Sequence, residues 1–274
     1  YALSIAYGVS DDIYDFDLSR GDNPFIRLNS LYGAILGDDK VPEIFKSLKL
    51  TNENITTTNC DVSTIAGHYK YSPTNSSSDC IVSYTVTAEK DGEIFFYLPS
   101  DYPREVKIRV NGQKVEDSDT FYGGESDRIV SLGVFSAGET VSLSMTLKAD
   151  VLYVKQKIEP FYYLDMDVFE DSISRIAETQ LTVGEKWTDS YLPGTITTAK
   201  DSQLIMTTIA YDAGWQVTVD GKRVDTTEVL EGVVAFTIDN AGEHTVVMKY
   251  RPKAFTLGLA VTILSILLFV FIMI

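Results

Sequence analysis

The sequence predicts a mainly β protein: two tandem antiparallel β-sandwich domains, a short N-terminal helical segment and a C-terminal transmembrane helix. Three observations lead there. Apolar and polar residues alternate over long stretches, two blocks of sequence repeat, and the stretch from Ala254 to Ile274 contains no Asp, Glu, Lys or Arg.

Residues 1–50 read as a helical lead-in. Asn23-Pro24 supplies an N-cap and a proline at the first helical position, Phe25, Leu28, Leu31, Tyr32 and Ile35 recur at helical spacing, and Gly37 closes the run. Pro42 to Leu48 reads as a short second helix. Residues 51–155 form the first sandwich, with period-two runs such as Val82-Tyr84-Val86 and Val141-Leu143-Met145-Leu147 separated by turn residues.

Residues 156–253 form the second sandwich, because Asn111-Gly112-Gln113-Lys114-Val115 matches Asp220-Gly221-Lys222-Arg223-Val224, and Ala137-Gly138-Glu139 matches Ala241-Gly242-Glu243. The alternation before each turn agrees: Val106, Ile108 and Val110 in one copy, Trp215, Val217 and Val219 in the other. Asn-Gly and Asp-Gly both favour the two consecutive positive φ values of a type I′ hairpin. Between the copies, Ile158 to Asp165 reads as a strand, with Pro160 at its start, and residues 167–179 as a crossover helix. Leu192-Pro193-Gly194-Thr195 reads as a turn.

Residues 254–274, AFTLGLAVTILSILLFVFIMI, reach about 30 Å at about 1.5 Å per residue, which matches a hydrocarbon core. A buried core helix would need a polar face, and Thr256, Thr262 and Ser265 do not supply one. The chain begins at Tyr1 with no basic segment leading into an apolar stretch and stops inside its apolar run, so we expect it to be part of a longer protein.

The body carries 23 Lys+Arg against 39 Asp+Glu, a net charge of −16, which excludes a basic nucleic-acid binder. A hydrophobic share of 45 %, with 16 Tyr, 13 Phe and 2 Trp, excludes a disordered chain. Arg251 and Lys253 flank the membrane segment on the body side, but long domains translocate largely regardless of such charge, and we expect the body outside the cytoplasm. Cys60 and Cys80, the two cysteines, are either an extracytoplasmic disulfide or a pair of core thiols.

Catalytic signals are absent. His68 and His244 are the two histidines, and no H-E-x-x-H, G-x-S-x-G or phosphate-binding loop occurs. The acidic clusters Asp11-Asp12-Asp15-Asp17 and Asp165-Asp167-Glu170-Asp171 lack the alternating ligands and glycine of a calcium loop, and the second sits where a helix N-terminus favours acids. No metal or cofactor is expected. Trp215, Tyr211, Tyr102 and Trp187 are candidates for an aromatic sugar platform; Trp215 aligns with inward-facing Val106, which favours core packing over the platform, and Tyr211 aligns with Tyr102 as rim or core.

The segment from Tyr211-Asp212 through Gly214-Trp215 to Asp220-Gly221, the turn Gly242-Glu243-His244, and the junction Tyr250-Arg251-Pro252 leading to Phe255 resemble the C-terminal part of the YfhO-like bacterial membrane proteins. One departure is Ala210, where the family more often has proline. The resemblance implies a multi-pass protein of Gram-positive bacteria, glycosyltransferase-like in its membrane half, that transfers a lipid-carried sugar to a surface polymer such as lipoteichoic acid. It implies that Tyr211, Asp212, Gly214, Trp215, Asp220, Gly221, Gly242, His244, Tyr250 and Pro252 are structural residues or the rim of a binding surface, and that catalytic residues lie before Tyr1. The expected role is an accessory module whose partners are its own upstream membrane domain, the bilayer and a surface glycan or polymer. The alternative is a membrane-anchored glycan-binding or adhesion module with no enzyme attached.

Overall fold

The computed structural model describes residues 3–19, 23–75, 77–115, 120–124, 128–147 and 151–273. The chain divides into two units. An inserted unit comprises Arg20–Ser30 and Pro42–Phe169, and a terminal unit comprises Tyr1–Ser19, Leu31–Val41 and Glu170–Ile274. All strand pairs among the described residues are antiparallel.

In the inserted unit one sheet runs Thr120–Tyr122, Arg104–Val110, Thr140–Leu147, Cys80–Thr87 and Ile55–Thr58, with Gln113–Lys114 folded back on Arg104–Val110. A second runs Ile129–Phe135, Gly92–Tyr97, Phe161–Leu164 and Phe45–Leu48. Every second residue points inward, as the pleat requires, so Val82, Tyr84, Val106, Ile108, Leu143 and Met145 meet Ile94, Phe96 and Phe161 in one core. A three-stranded sheet, Leu152–Lys155, His68–Pro73 and Cys60–Ile65, adds Tyr71, Leu152 and Val154 to that core. Cys60 and Cys80 are joined in a disulfide with Cα atoms 4.9 Å apart, tying this sheet to the first one.

In the terminal unit one sheet runs Ala6–Val9, Gln203–Ala210, Val233–Ile238 and Thr226–Val229. The other runs Thr182–Val183, Tyr191–Thr198, Gly242–Tyr250, Trp215–Val219 and Lys222–Val224. Ile205, Phe236 and Ile238 pack against Ile196, Trp215, Val217 and Met248 between them. The outer face of the first sheet, with Tyr7, Val9, Leu204 and Met206, is covered by Ile13, Ile35 and Ile176.

The sandwiches are therefore nested in sequence, not strictly tandem, and the first fifty residues are shared between the units instead of forming a separate lead-in. The cause is the free edge of Gln203–Ala210, whose backbone groups need partners. Ala6–Val9 supplies them, pairing Ala6 with Thr207 and Val9 with Leu204.

Helix α1, Pro24–Leu36, starts where Asn23 Oδ1 accepts from the backbone N–H groups of Phe25 (3.0 Å) and Ile26 (3.4 Å). Phe25 is fully buried and stacks on Tyr162 at 4.1 Å between centroids. Helix α2, Met166–Ala177, buries Ile173 and Ile176.

Two local expectations fail. Residues 42–48 do not form a helix. The apolar spacing of Ile44, Phe45 and Leu48 suits one, but Phe45–Leu48 finds a strand partner in Phe161–Leu164, and pairing outweighs local pattern. Leu192–Thr195 is no turn either, because it lies inside the strand Tyr191–Thr198. Pro193 loses only a donor there, its carbonyl accepts from Gly184 N–H at 2.7 Å, and any Cβ at position 194 would meet the Thr182 carbonyl oxygen at 2.5 Å.

Helix α3, Lys253–Met273, exposes its apolar side chains, with Phe255 at 64 % and Phe271 at 81 %. Among the described residues no helix is long and apolar enough to cross a membrane.

Candidate functional site: the root of the last helix and an aromatic cleft

The first place where candidate residues converge is the root of α3, in the terminal unit. Asp212 Oδ1 accepts from Gly214 N–H at 2.6 Å, and the Asp212 carbonyl accepts from Trp215 N–H at 3.0 Å, which makes a tight turn before the strand Trp215–Val219. Gly214 then lies against the chain leaving Tyr250. Arg251 N–H donates to the Gly214 carbonyl at 3.0 Å, and a Cβ on Gly214 would stand 2.8 Å from the Arg251 carbonyl oxygen and 2.9 Å from the Tyr250 ring. Only glycine permits that approach.

Trp215 and Tyr250 are register partners with ring centroids 5.1 Å apart, and Trp215 is 9 % exposed. It is a core residue and not an exposed platform. Tyr211 packs beside the same core and donates its N–H to the Gly232 carbonyl at 2.7 Å. Pro252 accepts from Phe255 N–H at 3.1 Å, opening α3.

Asp220, Gly221, Gly242 and His244 form a second set at the hairpin end of the same sheet. Asp220 (φ 50°) and Gly221 (φ 77°) make the tight turn, as Asn111 (φ 49°) and Gly112 (φ 81°) do in the inserted unit. The equivalence extends to side chains: Asn111 Oδ1 accepts from Ser142 N–H at 2.9 Å, and Asp220 Oδ1 accepts from Thr245 N–H at 2.9 Å. Asp220 does more than Asn111, because its Oδ2 lies 2.8 Å from His244 Nδ1. His244 Nε2 lies 2.8 Å from the Asn240 carbonyl, so the protonated ring donates at both nitrogens. The Asp220 carboxylate raises the His244 pKa above its ordinary value, against the opposing effect of burial, and His244 in turn holds Asp220 low. This is a clamp between two turns.

Of the acidic stretch at the start of α2, Asp165 is spent internally, while Asp167 and Asp171 stay exposed. Asp165, 2 % exposed, accepts from Lys46 Nζ at 2.7 Å and Lys90 Nζ at 3.1 Å. Burial pushes its carboxyl upward, but the two lysines outweigh that and leave it below the usual value.

The second convergence is a cleft of about 440 Å³ in the inserted unit, lined by His68, Asp101, Tyr102, Arg104 and Tyr153 among others. The hairpin between Cys60–Ile65 and His68–Pro73 forms one wall, with Ala66 at φ 46° in its turn. His68 pairs in register with Lys155. Asp101 accepts from Lys155 Nζ at 2.7 Å and lies 3.0 Å from His68 Nε2, and Lys155 first, then His68, holds its carboxyl below the ordinary value. Tyr102, 56 % exposed, meets Tyr153 edge-to-face at 6.2 Å, with the Arg104 guanidinium 5.7 Å from its ring centre.

Of the platform candidates, Tyr102 alone lines this cleft, while Trp187, 58 % exposed, stands in the terminal unit. Sequence reasoning passed over His68, Asp101, Arg104 and Tyr153. The signal available was Asp101-Tyr102-Pro103-Arg104, a loop carrying an aromatic between two charges; the pairing that brings His68 and Tyr153 to it is long-range.

Among solved structures the chain is similar to a family 35 carbohydrate binding module from Clostridium thermocellum, at 16 % identity over 43 % of this chain and 95 % of that one, TM-score 0.29. It is similar also to a Paenibacillus cycloisomaltooligosaccharide glucanotransferase, at 11 % identity over 83 % of this chain and 50 % of that one, TM-score 0.25. A third is the mycobacterial arabinofuranosyltransferase AftD, at 6 % identity over 90 % of this chain and 26 % of that one, TM-score 0.24. TM-scores this low carry no inference about fold or activity. No curated protein matches the sequence. The family described as bacterial membrane protein YfhO matches over residues 1–262, through both units, the interlocked turn at Asp212–Trp215 and the Tyr250–Pro252 junction, and the chain belongs to that family.

Proposed function

We propose that this chain is the extracytoplasmic accessory module of a multi-pass membrane glycosyltransferase that adds lipid-carried sugars to a cell-surface polymer such as lipoteichoic acid, with α3 as its membrane helix. The observation that carries the reading is the fastening at the root of α3: Arg251 is bonded to Gly214, the Trp215 and Tyr250 rings are paired, and the helix begins at Lys253. A body held this way keeps a fixed height over the bilayer, which serves an enzyme working where membrane meets water and is needless for a freely swinging adhesin. The exposed apolar surface of α3 calls for a nonaqueous cover, and the Cys60–Cys80 bond suits an oxidising compartment. A net charge of −16 argues for a scaffold over a holder of bare polyanion. Catalysis itself belongs to a pocket in the upstream membrane domain.

The test is the parent protein with and without residues 3–250, removed as one block because Ala6–Val9 is a strand of the terminal unit. Labelled sugar entering surface polymer should fall in the truncated, correctly inserted parent. Undiminished incorporation overturns the accessory role, and transfer by the present chain alone overturns the placing of catalysis upstream. Protease added to intact protoplasts should digest the body; protection until lysis reverses the orientation.

A further inference from the structure

We infer that the cleft of the inserted unit binds a neutral pyranose ring of a glycan, a property that stands whether or not the body serves a transferase. The cleft combines what a sugar ring requires. A pyranose has an apolar C–H face and a rim of hydroxyls, so its sites pair an aromatic surface with a few fixed acceptors and donors. Tyr102 offers the exposed ring, and Tyr153, inclined at 62° to it, walls the second side. A flat ligand would stack on one of these rings and leave the other unused, whereas a puckered ring meets both.

The polar groups are set in advance. Asp101 keeps 45 % of its side chain exposed while Lys155 and His68 fix it, so its carboxylate is an immobile acceptor for sugar hydroxyls. Arg104 Nε donates to the Val151 carbonyl at 2.7 Å and Nη1 to the Pro103 carbonyl at 2.8 Å, leaving further N–H donors on an anchored guanidinium. The fixed acceptor and the spare donors together suit hydroxyls, which both donate and accept, and the net charge of −16 disfavours anions at long range. About 440 Å³ lies within the usual range for small-molecule clefts.

The wall is braced as a binding surface needs. The hairpin bearing His68 is tied at its far end by Cys60–Cys80 and near its turn by the bond from Gln156 N–H to the Gly67 carbonyl, 3.0 Å. Little ordering cost is left for the ligand to meet.

The test uses the full chain in a zwitterionic detergent without a sugar headgroup, titrated calorimetrically with cellohexaose, maltohexaose, chitohexaose and β-1,4-galactohexaose. At least one should saturate. Tyr102→Ala should then weaken it about tenfold or more, Tyr102→Trp should keep it, and Asp101→Asn should weaken it, all with wild-type melting. The inference is overturned if none of the four binds at about 10 mM, or if Tyr102→Ala and Asp101→Asn bind like the wild type. Loss of sugar transfer in the truncated parent with no oligosaccharide binding here would overturn this inference alone.

Discussion

Gly214 touches the backbone of Arg251 so closely that a single added carbon would lie 2.8 Å from the Arg251 carbonyl oxygen. Gly214→Ala must therefore push apart the turn and the strand end that carries α3, and overpacking of this kind costs about 1–3 kcal/mol. Gly232→Ala is the matched control, since a Cβ there finds its nearest atom at 3.9 Å. Thermal melts should separate the two variants; equal melting would mean that the contact is slack.

Trp215 faces Tyr250 across the same junction, buried to 9 % exposure. Trp215→Ala should cost about 3–5 kcal/mol, as truncation of a large core aromatic does. Trp215→Phe should recover much of that by keeping a ring against Tyr250. Denaturant unfolding measures both, and an alanine variant as stable as the parent would contradict a core role.

The His244–Asp220 pair sets a pH dependence whose sign is fixed. His244 has a raised pKa, so its contribution is fully present below the ordinary histidine value and is lost as pH rises through the raised one. Asp220 has a lowered pKa, so its contribution is present above the ordinary carboxylate value and is lost as pH falls through the lowered one. Melting temperature against pH should show a plateau between these limits, and His244→Gln should remove the alkaline fall. A mutant whose alkaline limb matches the wild type would place that limb elsewhere.

Reducing Cys60–Cys80, or changing both residues to serine, should cost about 3 kcal/mol for a loop with a sequence separation of 20. The loss should appear in the inserted unit. Hydrogen exchange is the measurement, with strands Cys60–Ile65 and His68–Pro73 expected to lose protection first and Gly242–Tyr250 to stay protected.

The two hairpins at Asn111-Gly112 and Asp220-Gly221 were legible because their turn chemistry is local: two positive φ values in a row leave few residue choices. The inward rows through Val82 and Val141 were legible for the same reason, being carried by neighbours two apart. The repeat runs further than the turns. Lys90-Asp91 and Lys200-Asp201 also correspond, since Asp91 accepts from Ala137 N–H at 2.7 Å and Asp201 from Ala241 N–H at 2.8 Å. What stayed hidden depends on distant partners. Ala6–Val9 has only four residues and pairs with a strand far along the chain, and Phe45–Leu48 has a helix-like pattern of its own. The root of α3 was visible as a motif, but that Gly214 is there to let Arg251 approach required the register of Trp215 with Tyr250. The cleft was less legible still, with one of its residues, Tyr102, marked beforehand.

Because Ala6–Val9 is a strand of the unit completed by Gln203–Ala210, order of synthesis matters. A chain made from its N-terminus at about 5–20 residues per second exposes that strand for roughly 10–40 s before its partner exists. The inserted unit, all of which lies before Glu170, is made meanwhile. Ala6–Val9 must therefore be shielded from other strands in that interval, and the terminal unit closes only once Gln203–Ala210 has been made. Assembly of that unit thus reports that the polypeptide has been made through its second sandwich.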